Sequence, residues 1–411
     1  MKKIIISLFV LLSSFSFSQT DSGDIESYLQ NIISNMPGDS GNQFTAPTTQ
    51  NLTDWENTIA AVLIKNIALA RNEAAKVNYE IVEYTNTSLT EHKVFYILKE
   101  KAIQTNFWGT FIFSKNPERE NLILQAPHAT YDFNTGKQAI YCFKRLNNKA
   151  LFLNGTHRCN HNDASTCDGT TSVCSNTSEA FKISDMAHNV NSVFQKTTEI
   201  VFQSISNSVF IQLHGFTKKD TDPYVILSNG TNQTPTTDYA SMLKNELQKI
   251  DNSLTFKIAH IDTNWSRLRG FTNTQGRLIN GSVNPCNTAA TGTNGRFVHV
   301  EQEKSKLRQD MAGWNKMKDA LSAVFTKTLN IDEYSKKIFF LSKNPFSDHI
   351  SFQAKNMVKV ELLSILGKSI YTEITSKENV TITTKNLNAG IYILKIYTTE
   401  GSYTKKLIHE Q

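Results

Sequence analysis

Five short apolar runs in this chain each finish on a histidine. They occupy residues 122–128, 150–157, 209–214, 256–260 and 297–299 and end on His128, His157, His214, His260 and His299. Runs of this length, bounded by Gly, Asn and Pro, read as strands. Between and after them lie stretches with apolar residues at helical spacing, at 136–146, 184–203, 239–250 and 304–326. Strand then helix, repeated, predicts an α/β fold: a mostly parallel sheet with helices on both faces. In such a sheet the carboxyl ends of the strands share one rim, and ligands gather there. The histidines are therefore expected to line one polar, metal-capable rim.

The two ends of the chain differ from this centre. Residues 1–18 read as a signal peptide: Lys2 and Lys3, then an apolar run over 4–12 too short to span a bilayer, then small polar residues. No later stretch reaches transmembrane length, so no transmembrane segment is expected in the exported protein. Residues 19–52 are rich in Ser, Asn, Thr, Gln and Gly and read as a flexible polar linker. Residues 53–330 then hold one large core, opening with a helix over 55–74 capped by Thr53 or Asp54 and strand-like runs near 78–84, 93–98 and 107–113. A net charge of +6 on 411 residues is mild, and Lys and Arg are dispersed, so nothing points to nucleic acid.

Five cysteines, Cys142, Cys159, Cys167, Cys174 and Cys286, are carried into an oxidising destination, which favours disulfides. Three of them fall in a loop-like stretch with little to bury, where one or two bridges would hold the loop down. The pairing and the odd cysteine stay open.

The chemistry-bearing residues follow the strands. His128 opens a loop that carries Asp132 and closes at Gly136 before a helix. A His and an acid in one such loop can turn onto one cation, and His214, before Gly215, supplies a third ligand. Catalytic zinc takes three N/O protein ligands and keeps a position for water. Glu301 shares strand parity with His299 and is the expected general base; Glu303 is its rival if the strand runs on. His157 and Arg158 are expected to contact substrate, Arg158 as a fork for a carboxylate. Asp185 and His188 read as a pair on the first turn of the helix over 184–203, and His260 and Arg267 as substrate-recognition residues in a polar loop. Neither a Gly-x-Ser-x-Gly elbow nor a Gly-rich phosphate loop is present.

Residues 335–411 alternate apolar and polar positions, punctuated by Gly367, Gly390 and Gly401, and predict a small β-sandwich. Asn344-Pro345-Phe346-Ser347, Val360 to Gly367, Leu387-Asn388-Ala389-Gly390 with Tyr392, and Gly401 to Leu407 resemble the C-terminal sorting domain of the type IX (Por) secretion system. That resemblance implies passage through the periplasm and outer membrane to release or the cell surface, with the type IX machinery as partner.

The order of His128 and Asp132, then Leu213-His214-Gly215, then Val300-Glu301 before a helix resembles zinc hydrolases of the phosphorylase/hydrolase-like fold. These are the N-acetylmuramoyl-alanine amidases, N-formylglutamate amidohydrolases, polyglutamate hydrolases and zinc carboxypeptidases. The resemblance implies a secreted Zn(2+)-dependent hydrolase of amide bonds acting on a peptide or acyl-amino-acid. Those families carry Glu as second ligand at another spacing, where this chain has Asp132. The competing expectation is a non-catalytic secreted protein whose rim binds a ligand or metal, with an esterase on the same scaffold as a third.

Overall fold

The computed structural model describes residues 19–101, 105–327, 338–340, 343–399 and 401–410. The expected signal peptide lies outside them. The chain divides into two compact units, Met1–Lys327 and Thr328–Gln411.

The first unit begins with β1 (Thr20–Gly23), α1 (Ile25–Ser34), α2 (Thr49–Leu63), α3 (Ile67–Lys76), β2 (Tyr79–Asn86), β3 (Lys93–Glu100) and β4 (Thr110–Ser114). It continues with β5 (Arg119–Ala126), α4 (Thr135–Leu146), β6 (Asn148–Leu153), a short hairpin of β7 (Thr170–Thr171) and β8 (Glu179–Ala180), and α5 (Val193–Ser204). It closes with β9 (Val209–Phe216), β10 (Val225–Ser228), α6 (Tyr239–Ile250), β11 (Phe256–Ile258), α7 (Thr274–Ile279), β12 (Phe297–Glu303) and α8 (Met311–Val324).

Ten of these strands form one sheet in the order β1-β2-β3-β4-β6-β5-β9-β12-β10-β11. Its centre, β6-β5-β9-β12, is parallel, so the carboxyl ends of these four strands share a rim. The sheet as a whole is mixed rather than mostly parallel: β2, β3, β4 and β6 pair antiparallel, and β10 runs antiparallel to β12.

Alternate strand residues face two helical layers. Leu122, Leu124, Ile211, Leu213, Val298 and Val300 bury against α1, α4, α6 and α8. Ile123, Phe210 and Phe297 bury against α2, α5 and α7. On this second face the strands change character toward their carboxyl ends: Phe210, Gln212, His214 on β9; Ile123, Gln125 on β5; Phe297, His299, Glu301 on β12. Apolar core gives way to amides and then to titratable groups, which is what fixes the site on that rim.

Four expectations need correction. The 19–52 segment is not a linker: Ile25, Leu29 and Ile33, spaced i, i+4, i+8, bury one face of α1 in the core, and Phe44 is buried farther on. The helix expected over 55–74 is two, because Lys65 takes a left-handed φ of 61° and Asn66 caps α3 through its side chain. The helix expected from 184 starts at Val193, capped by Ser192 rather than Ser184, whose hydroxyl instead accepts from His161 N and donates to the Arg158 carbonyl. The last helix breaks at Asp310, which accepts from Ala312 N and Gly313 N and so starts α8 after a single wide turn over Lys304–Arg308.

The second unit holds β13 (Ile338–Phe340), β14 (His349–Ala354), β15 (Met357–Ser364), β16 (Ser369–Ile374), β17 (Asn379–Thr383), β18 (Gly390–Thr398) and β19 (Gly401–His409). They form a three-stranded and a four-stranded antiparallel sheet over a core that includes Ile350, Phe352, Val360, Leu394 and Ile396.

Candidate metal centre

The loop after β5 is folded by its own backbone. Asp132 N donates to the His128 carbonyl at 3.1 Å and Gly136 N to the Ala129 carbonyl at 2.9 Å. A Cβ on Gly136 would lie 2.6 Å from the Ala129 Cβ, so glycine is what lets α4 start this close to the strand end. The turn lays Asp132 beside His128. β9 brings His214 to the same place, where Gly215 N donates to Asp132 Oδ2 at 3.1 Å. β12 is in register with β9, placing Glu301 beside His214 and His299 beside Gln212.

One carboxylate oxygen meets both imidazoles. Asp132 Oδ2 lies 3.3 Å from His128 Nδ1 and 3.4 Å from His214 Nδ1, while Oδ1 accepts from Arg158 Nη2. The far nitrogen of each ring is held by a buried acceptor: His128 Nε2 by Asp185 Oδ1 at 2.9 Å and His214 Nε2 by Gln212 Oε1 at 2.7 Å. His128, Asp132 and His214 form one group able to hold a cation, and His214, His299 and Glu301 a second that shares His214. The His214 and His299 rings stack at 4.2 Å, and His299 Nε2 lies 3.8 Å from Glu301 Oε1. His299 Nδ1 and Glu301 Oε2 are buried without a hydrogen-bond partner.

Burial sets much of the electrostatics, but not all. It would raise the Asp132 carboxyl, yet Arg158 and His128 outweigh it and hold that carboxyl well below the usual carboxylate range. Asp185 is held low in the same way, against burial, by His188 and His128. Burial lowers His214 to about 4 and pushes His299 well below the ordinary imidazole value. For His128, burial and Arg158 push down, but Asp185 and Asp132 prevail and raise it. Burial, then the Asp132 charge, lift Glu301 to about 8. The cluster thus combines two carboxylates held anionic against burial by neighbouring cationic groups, two imidazoles pushed toward the neutral form by burial, and a glutamate pushed toward its neutral form.

The remaining expected site residues divide. His157 packs edge-on to Tyr131 at 4.5 Å and accepts from Cys159 N, beside the cluster. His188 stacks on Phe181 at 3.6 Å and sets its Nδ1 3.2 Å from Asp185. Asp185 and His188 do meet, although no helix spaces them. His260 is not part of the rim: β11 runs parallel to β10 and thus against β12, so its carboxyl end faces the opposite edge. There His260 pairs with Asp238 at 2.9 Å. Arg267 is tied to Asp222 at 2.5 Å. Glu303 turns back to accept from Ser305 N at 2.7 Å, capping the turn that follows β12, which leaves Glu301 as the glutamate at the cluster. Gln212 had no expected role from sequence, and His299 was expected only as one of the rim histidines. Each stands two positions before an expected site residue on the same strand, and that parity was the available signal.

The loop bearing Asp185 is stapled. Cys159 pairs with Cys174 and Cys167 with Cys286, and Cys142 is free and buried.

Residues 344–410 match the family described as a secretion system C-terminal sorting domain. The protein is thus a cargo of type IX secretion, exported to the cell surface or the extracellular space. The match covers the tail and not the amino-terminal unit. No curated protein matches the chain. Among solved structures, PorZ, an essential bacterial surface component of the type IX secretion system of Porphyromonas gingivalis, is similar over 21% of this chain at 11% identity, with a TM-score of 0.17. This chain spans about 13% of that structure's length. No helix among the described residues is long and apolar enough to cross a membrane.

Proposed function

We propose that the amino-terminal unit is a zinc-dependent hydrolase of amide or peptide bonds, of the phosphorylase/hydrolase-like kind. One observation carries this reading: a single Asp132 oxygen stands 3.3 Å and 3.4 Å from two Nδ1 atoms whose opposite ring nitrogens are already bound to buried acceptors. Ligand atoms around a tetrahedral zinc are roughly 3.4 Å apart. The two edges from Asp132 to His128 and to His214 fit that spacing, all three ligand atoms lie within 4.8 Å of one another, and Asp185 and Gln212 supply the outer hydrogen bonds that ligating histidines need.

Bound there, zinc would supply an acidified water and a polarised carbonyl. Glu301, next to His214 across the β9–β12 ladder, takes the proton of the attacking water and returns it to the leaving amine. His299, kept neutral by burial, offers an N–H to the oxygen on which charge develops. Arg158 holds Asp132 through Nη2, and its buried Nε has no partner, which suits a substrate carboxylate of a peptide or acyl-amino-acid.

The test is metal content and turnover together. About one zinc per chain, lost in His128→Ala and His214→Ala, with hydrolysis of N-acyl-amino-acid or peptide amides, supports the proposal. Zinc without turnover on any such amide favours the non-catalytic binding protein. No zinc in folded protein after zinc is supplied rejects both the metal and the mechanism.

A further inference from the structure

We propose that Gln212 is a positioning residue, and that the buried amide network around it fixes His214 as the tautomer with hydrogen on Nε2 and a free Nδ1 facing Asp132. The inference deepens the metal-site reading, but its central claim concerns the protein without metal.

The argument is one of donors and acceptors. Gln212 Oε1 lies 2.7 Å from His214 Nε2. An imidazole nitrogen facing an amide oxygen must carry the hydrogen; one facing an amide NH2 must not. The other ring nitrogen, Nδ1, faces Asp132 Oδ2 at 3.4 Å, longer than a normal N–H···O bond, so the tautomer of His214 is set at the short Gln212 contact by which way that amide points, and that is decided elsewhere.

Three routes decide it, and each ends on a backbone group that cannot be turned around. In the first, Gln212 Oε1 also accepts from Asn273 Nδ2 at 2.6 Å, and Asn273 Oδ1 accepts from Gly276 N at 2.9 Å. A backbone N–H only donates, so the Asn273 amide is fixed and must present NH2 to Gln212. In the second, Gln212 Nε2 donates to Gln125 Oε1 at 2.9 Å, Gln125 Nε2 to Thr198 Oγ1 at 2.8 Å, and Thr198 Oγ1 to the Phe194 carbonyl at 3.0 Å. A carbonyl only accepts, so that chain is directed too. In the third, Gln212 Nε2 donates to Gln275 Oε1 at 3.1 Å, and Gln275 Nε2 donates to the Met186 carbonyl at 2.8 Å.

All three routes demand the same orientation. Turning the Gln212 amide over would set NH2 against NH2 at Asn273 and oxygen against oxygen at Gln125 and Gln275, with all four residues buried. His128 stands differently: its Nε2 faces the Asp185 carboxylate at 2.9 Å and its Nδ1 the Asp132 carboxylate at 3.3 Å, so both ring nitrogens meet acceptors and, against burial and Arg158, the two acids together raise its pKa. Only His214 has its tautomer set by a neutral amide.

The experiment is nitrogen NMR on metal-free protein carrying 15N-histidine at neutral pH, with the His214 signals assigned through His214→Gln. The expected result is a single His214 tautomer protonated on Nε2. Gln212→Met, which keeps the volume and removes the acceptor, should mix the tautomers and weaken zinc binding about 10- to 100-fold. A His214 protonated on Nδ1 in the wild type overturns the inference, whether or not Gln212→Met folds. So does a folded Gln212→Met that retains one Nε2–H tautomer. A wild type with the Nε2–H tautomer that takes up no zinc upholds the inference and sinks the metal reading; zinc uptake with His214 protonated on Nδ1 in the metal-free state does the reverse.

Discussion

Gly215 and Arg308 are fitted to one another: a Cβ on Gly215 would fall 2.3 Å from the Arg308 guanidinium carbon. Through that gap the guanidinium donates to the carbonyls of Asp132 and Phe133 at 2.7 Å, of Gln302 at 2.9 Å and of Phe216 at 3.2 Å. A single buried cation thus fastens the loop of Asp132 to the ends of β9 and β12.

Gly215→Ala should dislodge Arg308. The crowding costs about 1–3 kcal/mol, as overpacking of a filled interior generally does. Zinc affinity should fall at least tenfold, because the Asp132 loop loses its anchor. Chemical denaturation and zinc titration of the variant measure the two effects; unchanged values in both would show that Arg308 has another place to go.

Glu301→Gln should retain zinc and lose turnover on the order of 10²- to 10⁴-fold, the usual worth of a general base. Glu303→Gln should stay within a few-fold of wild type, since Glu303 caps a turn. Side-by-side kinetics on one amide substrate decide between the two glutamates.

Removing the bridge between Cys167 and Cys286, which closes 119 residues, should cost roughly 4–5 kcal/mol by chain entropy. The bridge between Cys159 and Cys174, closing 15, should cost about 3 kcal/mol. Denaturant midpoints of the paired Cys→Ser variants give the values. Cys142, fully buried with its thiol pushed far up by that burial, should resist alkylation until the protein unfolds.

Asp238 caps α6 through Ser241 N and accepts from His260, and these bonds outweigh burial to hold its carboxyl near 2. Its folded value is below its unfolded one, so the stabilisation is complete above about pH 4 and disappears as pH falls toward 2. Asp238→Asn should therefore be less stable than wild type by about 2 kcal/mol at neutral pH, with the difference closing across that window. Thermal melts of both proteins from pH 6 to 2 follow it.

Much of the rim could be read from the sequence, because strand periodicity puts residues two apart on one face. His214, His299 and Glu301 needed only that rule, and the 239–250 helix, polar on one side and apolar on the other, was visible as such. The misreadings have a common cause. Met186 and Val190 are apolar at helical spacing, yet Asn189 and Ser192 hydrogen-bond the backbone into turns until Val193. Ile25, Leu29 and Ile33 did not stand out among the polar residues of 19–52, although they cover one face of a short helix. His260 was assigned to the wrong edge because the direction of β11 follows from its parallel pairing with β10, itself antiparallel to β12, which no local pattern encodes. The Gln125–Gln212–Gln275 network was likewise invisible: its members come from two strands and a helix, and a buried glutamine looks like any other until its partners are known.

The pairing of His214 with Glu301 across two parallel strands also acts as a gauge. Were β12 threaded one rung out of step, Val300 or Gln302 would stand beside His214 and every side chain would change face. On a strand buried on both faces, that slip would push His299 and Glu301 into the apolar core and strip Val298 and Val300 from theirs, so the core itself enforces the register. Backbone hydrogen bonds, not side-chain adjustment, set the spacing of His214 and Glu301, so the loops around this rim can diverge without disturbing it.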